Sequence, residues 1–486
     1  MQLFPCSALG IYLGRITPFS VTLFACLPTY SADLSPQVLR ARSYPGCHRT
    51  VTSSPPNDKM SMFGRFQESK KQWRNCIVAC LALYALGFLF FYYSFPAFGD
   101  FHRPHHHAVS VTKHSKHVKP DNITVSGLVF YGRQSRVEIM KCYIERNLVE
   151  NGGWLDEVLW VVNTEKKDDL RYLEEILASN PERYKKIYSD EIAGTYTYKN
   201  IWKKLDRGKY YVKIDDDVVW IDDNAIPSLV TRKVQNPKDF VVSGNIINNP
   251  PLGFFHMRMG AIHPYFPEAF EPFSVTNASD YWRPSRHPSW DGPKKYKWEL
   301  KNEPPSWPNH RWLRVPEDSM LDQTPAAELK YDIWGDSYRN WAIASQMHMS
   351  LFENIEKNQL DLYKFEKTWT MYEDRIRINF MCIYSDDILD TDPENWPSGR
   401  GDEDMIVLDL PKKLRRPVVI QGDALAAHYQ YMDQKKLEST DILKRYHSIA
   451  KDKYCLRLDA ARGAAEADLK QRSIRALFST PSGYDV

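Results

Sequence analysis

The sequence predicts an α/β protein, a mixed and mainly parallel sheet flanked by helices, carried behind one N-terminal transmembrane helix. Three observations lead there. From Ile123 onward, short apolar runs alternate with segments of helical spacing, the pattern of strands joined by crossover helices. One run, Tyr210–Ile214, delivers three consecutive carboxylates, Asp215, Asp216 and Asp217. Cys76–Phe95 carries no charge over 20 positions, enough to span a bilayer.

The elements follow in order. Ile123–Tyr131 is an apolar run, and Ser135–Glu150 places Val137, Met140, Ile144 and Leu148 at helical spacing. Glu157–Val162 reads as the second strand and Lys167–Ala178 as the second helix, through Leu170, Leu173 and Leu177. Tyr184–Tyr188 is a third strand, followed by a helix around Tyr198–Leu205. Tyr210–Ile214 is the fourth strand and Phe240–Val242 another. Asp222 and Asp223 precede Ala225–Val230 and read as cap and first-turn acids of a short helix. Phe254–Val315 is rich in Trp, Pro, His and Arg with little periodicity, which marks long functional loops or lids. Tyr331–Lys357 regains helical spacing through Trp334, Trp341, Ile343, Met347, Leu351 and Ile355, an aromatic stripe read as core. Ile406–Leu410 reads as a strand, Val418–Ile420 leads into Gly422–Tyr429, and Ala460–Leu477 is a charged, Ala-rich peripheral helix.

The aspartate run carries the chemistry. In an extended strand, residues two apart share a face, so Asp215 and Asp217 are expected to converge on one point. Paired carboxylates suit a hard divalent cation, Mg²⁺ or Mn²⁺, which in turn holds phosphate oxygens. Ligands of open α/β sheets bind outside the carboxyl ends of the strands, where this run sits. A structural turn is the competing reading, but three adjacent acids repel unless something positive lies among them.

The flanks set the topology. Arg65, Lys70, Lys71 and Arg74 precede the apolar segment and Asp100 follows it, so the positive-inside rule leaves the short N-terminus in the cytosol and the long remainder in the lumen. The apolar runs Leu9–Leu13 and Phe19–Leu27 are interrupted by Arg15 and Pro18. They read either as a poor signal sequence or as an extension upstream of Met60 or Met62. A His-containing polar stem follows, with His102, His105, His106, His107, His114 and His117. Acceptor sequons at Asn122 and Asn277 lie on the lumenal side. The expected division is a tail over 1–75, an anchor over 76–95, a stem over 96–121, a folded domain over 122–457 and a helical tail over 458–486.

Composition excludes several classes. A net charge of +3 on 26% charged residues argues against a nucleic-acid partner. Eight cysteines with no C-x-x-C pair argue against a structural zinc site. Past the membrane segment only Cys142, Cys382 and Cys455 remain, which allows one bridge and leaves one thiol.

Three motifs in this order resemble the GT-A type glycosyltransferases, and fungal type II membrane glycosyltransferase-like proteins in particular, over about residues 123–455. Asp215-Asp216-Asp217 resembles the DxD metal and nucleotide motif, Glu403-Asp404 the later xED acid pair, and His428 the C-terminal histidine that completes the metal shell. The resemblance implies a Rossmann-like catalytic domain that moves a sugar from a nucleotide-diphosphate donor to a hydroxyl of a glycan, glycoprotein or cell-wall polymer. It implies Mn²⁺ or Mg²⁺ held by Asp215, Asp217 and His428, with imidazole favouring Mn²⁺. Asp404, then Glu403, then Asp402 are the implied bases of an inverting reaction. Arg133, just past the first strand, is a candidate contact for the diphosphate or ribose, along with Asp215 and Asp216. Aromatic faces in the Trp-rich loops either stack on an acceptor sugar or tie those loops to the core. The implied place is a Golgi or endoplasmic-reticulum membrane, with the catalytic domain lumenal. A metal-dependent phosphotransferase and a non-catalytic carbohydrate-binding subunit are the competing classes.

Overall fold

The computed structural model describes residues 116–188, 198–272, 281–293 and 296–455, all within the compact unit Ser110–Val486. The predicted membrane segment, the stem histidines up to His114, the sequon at Asn277 and the helix Ala460–Leu477 lie outside these residues. Among the described residues no helix is long and apolar enough to cross a membrane.

The N-terminal half is built from β1 (Val125–Tyr131), α1 (Gln134–Arg146), β2 (Glu157–Val162), α2 (Lys167–Ser179), β3 (Tyr184–Tyr188), α3 (Lys199–Trp202) and β4 (Tyr210–Asp215). Its strands pair in parallel, in the order β3-β2-β1-β4. Every residue of β1 is buried, as expected for a parallel strand covered on both faces. The first turn of α1 lacks an acid of its own, and Asp169 of α2 accepts the Gln134 N–H at 2.9 Å. One crossover helix thus caps the other.

The C-terminal half changes direction. It contains β5 (Val218–Ile221), α4 (Ala225–Gln235), β6 (Val241–Ile247), α5 (Pro250–Arg258), β7 (Tyr265–Pro267), β8 (Trp312–Arg314), α6 (Asp336–Arg339), α7 (Trp341–Glu356), β9 (Trp369–Met371), β10 (Phe380–Tyr384) and α8 (Ser385–Leu389). After these come α9 (Asp402–Asp404), α10 (Leu410–Leu414), β11 (Val418–His428) and α11 (Ile442–Ile449). Strand β10 inserts antiparallel between β4 and β6, and β11 lies parallel to β6 and antiparallel to β5 and β9. The unbroken parallel order therefore ends at β4, parallel pairing returns between β6 and β11, and the sheet as a whole is mixed, as the sequence led one to expect.

Several expectations change. Ile406–Leu410 is not a strand. A π-helical turn, Met405–Asp409, joins α9 to α10, burying Met405, Ile406, Val407 and Leu410 on one side. A short apolar run carries no period of its own. Asp222 and Asp223 do not cap α4, whose N-cap is Asn224. Asp223 instead receives both ends of the Arg146 guanidinium, and Asp222 pairs with Lys364 at 3.4 Å. Phe240–Val242 is only the start of the seven-residue β6. Trp298, Trp312 and Trp341 stack with ring centroids 5.6 to 6.1 Å apart, so these loop aromatics are anchors to α7. Helix α7 is buried nearly all round, which makes it the core of this half.

Cys142 of α1 is bonded to Cys455, and Cys382 remains a buried thiol on β10. The bridge closes a loop spanning a sequence separation of 313. Such closure stabilises by about 2–4 kcal/mol through the unfolded chain. Cys142→Ser should lower the urea midpoint of the full-length chain accordingly, and reductant should reproduce that loss in the wild type but not in the variant. Equal midpoints with and without reductant in the wild type would contradict the bridge.

Candidate active site

The acid cluster sits where β4 runs out. Asp215 is the last residue of β4, while Asp216 and Asp217 form the turn into β5. The strand alternation expected to aim Asp215 and Asp217 together therefore does not apply. What places Asp217 is the other end of the chain: β11 pairs with β5 through His428 and Val218, and the Tyr429 N–H donates to the Asp217 carbonyl at 2.8 Å. His428 Nε2 thereby lies 3.0 Å from Asp217 Oδ1. Sequence order had placed these residues in one motif set, and the β5–β11 pairing brings them into contact.

Each acid meets a cation from the protein itself. Asp215 pairs with Lys213 and accepts from Asn379 Nδ2 at 2.9 Å. Arg133 clasps Asp216 through two nitrogens and also reaches Asp217 at 2.9 Å, with Arg136 3.4 Å from the same Asp217 oxygen. Burial raises the Asp215 and Asp216 carboxyls above the usual range, more than Lys213 and Arg133 lower them. Burial acts on Asp217 too, but His428, Arg133 and Arg136 outweigh it and hold that carboxyl well below the usual range. The mutual repulsion of three neighbouring acids is relieved in this way, and Asp217 is the acid whose charge its surroundings favour most.

A cavity of about 750 Å³ opens over this cluster, and Asp402, Glu403 and Asp404 line it as well. The three acids of α9 have different surroundings. Glu403 accepts from Arg375 at 2.6 Å and Arg377 at 3.1 Å, and Asp404 is held by Arg375 and, at 3.2 Å, by Arg400. Among the described residues Asp402 accepts only from neutral N–H groups, Trp202 Nε1 at 3.0 Å and the Glu403 amide at 2.9 Å. Burial pushes its pKa up to about 6, against the pull of Lys213.

Other lining residues were missed by sequence reasoning. Arg136, Lys213, Asn379, Arg375 and Arg377 belong to no motif recognised in the sequence, and the fold brings them to the cavity. Trp334, read from its spacing as core, is 48% exposed beside the cavity. Its α-helical spacing was real only from Trp341 on, because α6 and α7 are separate helices.

The donor set can be tested for a divalent ion. Asp217 Oδ1 and His428 Nε2 stand apart by the distance between adjacent ligands at ~2.1 Å from one octahedral centre. His428 Nδ1 is buried without a partner among the described residues, and the ring is braced by Tyr431 at 4.3 Å. Asp215 lines the same cavity, with its oxygens engaged by Lys213 and Asn379. Among the described residues no three His, Cys, Asp or Glu side chains gather as a metal cluster. The arrangement therefore fits two protein ligands, with the remaining positions left to phosphate and water, a usual mode for Mg²⁺-type ions.

No family model matches this chain, and no curated protein matches it. Among solved structures it is similar to GalNAc-T7 with UDP, GalNAc and Mn²⁺, at 12% identity and a TM-score of 0.32, over 64% of this chain and 44% of that one. It is also similar to 4-diphosphocytidyl-2C-methyl-D-erythritol synthase from Anaerococcus prevotii DSM 20548, at 14% identity and a TM-score of 0.21, over 26% of this chain and 56% of that one. The match thus spans about half the length of each of these proteins.

Proposed function

We propose that this chain is a metal-dependent nucleotide-sugar glycosyltransferase. The observation that carries the reading is the Asp217–His428 pair at 3.0 Å, set in one cavity with Arg133, Arg136 and Lys213 and with a second acidic cluster. In such a transfer the bond from the sugar C1 to the diphosphate breaks and a bond from C1 to an acceptor oxygen forms. The diphosphate leaves with the electron pair, and the acceptor proton goes to a base. Asp217 and His428 would hold Mn²⁺ or Mg²⁺, which when bound offsets the charge gathering on the diphosphate. Arg133 and Arg136 supply the same compensation from the protein, and Arg133, with its side chain 41% exposed, is free to turn from the acids to a phosphate.

The base we propose is Asp402 rather than Asp404 or Glu403. The latter two are engaged by Arg375, Arg377 and Arg400, whereas Asp402 has only neutral donors and a pKa suited to proton transfer near neutrality. The reading carries with it a lumenal, Golgi or endoplasmic-reticulum location. The Cys142–Cys455 bridge supports an oxidising compartment, and the charge pattern around Cys76–Phe95 supports a type II anchor.

Two experiments test the site on the full-length chain in detergent. Nucleoside diphosphate release across a panel of sugar donors should require Mn²⁺, and Asp217→Ala or His428→Ala should reduce it by on the order of 10²-fold or more. Release that is equal with and without chelator would remove the metal assignment. For the base, kcat/KM should rise through about pH 6 as Asp402 ionises. Asp402→Asn should abolish that slope and cost on the order of 10²-fold or more in rate; a slope that survives it, and is lost in Asp404→Asn, transfers the role to Asp404.

Asp402 also fixes a sign for stability. Its folded pKa lies above the ordinary 3.8, so the folded state binds the extra proton and the contribution of Asp402 to stability falls as pH rises from about 4 to 6. The stability of Asp402→Asn relative to wild type should therefore improve by up to roughly 3 kcal/mol between pH 4 and pH 7. A difference that stays constant across that window, in urea melts at each pH, rules out the raised pKa.

A further inference from the structure

The sequon at Asn122 has no part in the proposed chemistry, and the fold shows where it stands. Asp121 and Asn122 form a turn just ahead of β1, and both are exposed. The chain is fixed on either side of that turn by one acid. Lys119 Nζ pairs with Asp156 at 2.5 Å, and the Val125 N–H donates to the same Asp156 oxygen at 2.8 Å.

Neither polar side chain of the sequon serves the fold. Asparagine is frequent in turns because its side chain bonds to nearby backbone, yet the Asn122 side chain makes no such bond among the described residues. Thr124 is engaged through its backbone: its carbonyl accepts the Tyr210 N–H at 2.9 Å, and its hydroxyl has no partner among the described residues. Ile123, between them, packs against the core. The tripeptide is thus held by its middle residue and its main chain, with the Asn122 amide open to solvent.

The position also suits a large covalent attachment. The parallel strands β1 and β4 both begin at this end of the sheet, and the cavity lies past their other end, at Phe130, Arg133 and Asp215. The seven residues of β1 alone set Asn122 roughly 20 Å from that cavity. A bulky hydrophilic group joined there stays clear of the site.

We propose that Asn122 is N-glycosylated. Asn122 Nδ2 bonds to C1 of the first sugar of a lipid-linked oligosaccharide diphosphate. The bond from C1 to the diphosphate oxygen breaks, the lipid diphosphate leaves with the electron pair, and the amide proton passes to a base of the transferring enzyme. Thr124 supplies the hydroxyl which that enzyme reads at the third position. The modification rests on the lumenal placement of the domain and is independent of the metal and base assigned to the cavity.

The full-length chain, tagged at its C-terminus and expressed in a eukaryotic host, tests this, with Asn277→Gln removing the second sequon. Peptide N-glycosidase F should speed its migration on a denaturing gel. Asn122→Gln and Thr124→Ala should lose that shift completely, and Thr124→Ser should keep it. Mass spectrometry of the unsubstituted chain should find Asn122 deamidated after the same treatment, a reading that needs no variant to fold. Protease digestion of intact membrane vesicles reports separately on which side the domain lies. A protected domain with Asn122 unmodified overturns the proposal and leaves the lumenal placement standing. A domain digested in intact vesicles overturns both.

Discussion

The antiparallel pairing of β5 with β11 is the constraint on which the site depends. Strand β5 is only four residues long and follows the aspartate turn directly, so whatever fixes β5 fixes Asp216 and Asp217. Its partner ends in His428, and the next amide ties back to the Asp217 carbonyl. Tyr429 is pinned further by His348 of α7, whose ring bridges the Tyr429 carbonyl and the Tyr446 hydroxyl at 2.8 and 2.7 Å. Burial lowers the His348 pKa to about 3, so that bridge is made by a neutral ring at any physiological pH. The Asp217–His428 pair is thus held by a backbone ladder and by one helix packed behind it.

A second theme is self-neutralisation. The cavity wall carries acids and cations in near balance, and each aspartate of the triple has a protein cation within reach. An anionic ligand entering here exchanges partners with groups already paired. Arg133 is the most exposed of those cations, so the exchange costs least at that residue. The second cluster on α9 follows the same rule through Arg375, Arg377 and Arg400, and leaves out Asp402, which among the described residues is held by uncharged donors.

Much of the first half was legible in the sequence because its signals were local. Buried parallel strands announce themselves as continuous apolar runs, and α1 and α2 carry clear helical spacing over 13 residues each. The aspartate run stood out for the same reason, as did Glu403, Asp404 and His428 through their family-like order. Beyond β6 the signals were not local. Strand β10 is five residues long and gains its identity only between β4 and β6. Ile406–Leu410 looked like a strand because a short apolar stretch has no measurable period; in the structure it falls in the π-helical turn and the start of α10, with Ile406, Val407 and Leu410 buried. Trp334 carried a helical spacing that pointed to the core, and Arg377 belongs to no motif, since its place arises from which loops meet over the sheet.

The strand order has a consequence for how the chain is made. Strands β4 and β6 are not neighbours; β10 lies between them, and β11 lies between β6 and β5. Both inserted strands come from the last quarter of the polypeptide, as does Cys455, the partner of Cys142. While the ribosome is still working, the early strands present open edges with no mate, and such edges invite mispairing. The sheet, the oxidised bridge and the cavity all close together, after nearly the whole sequence has emerged. Completion of this sheet therefore waits for the C-terminal strands.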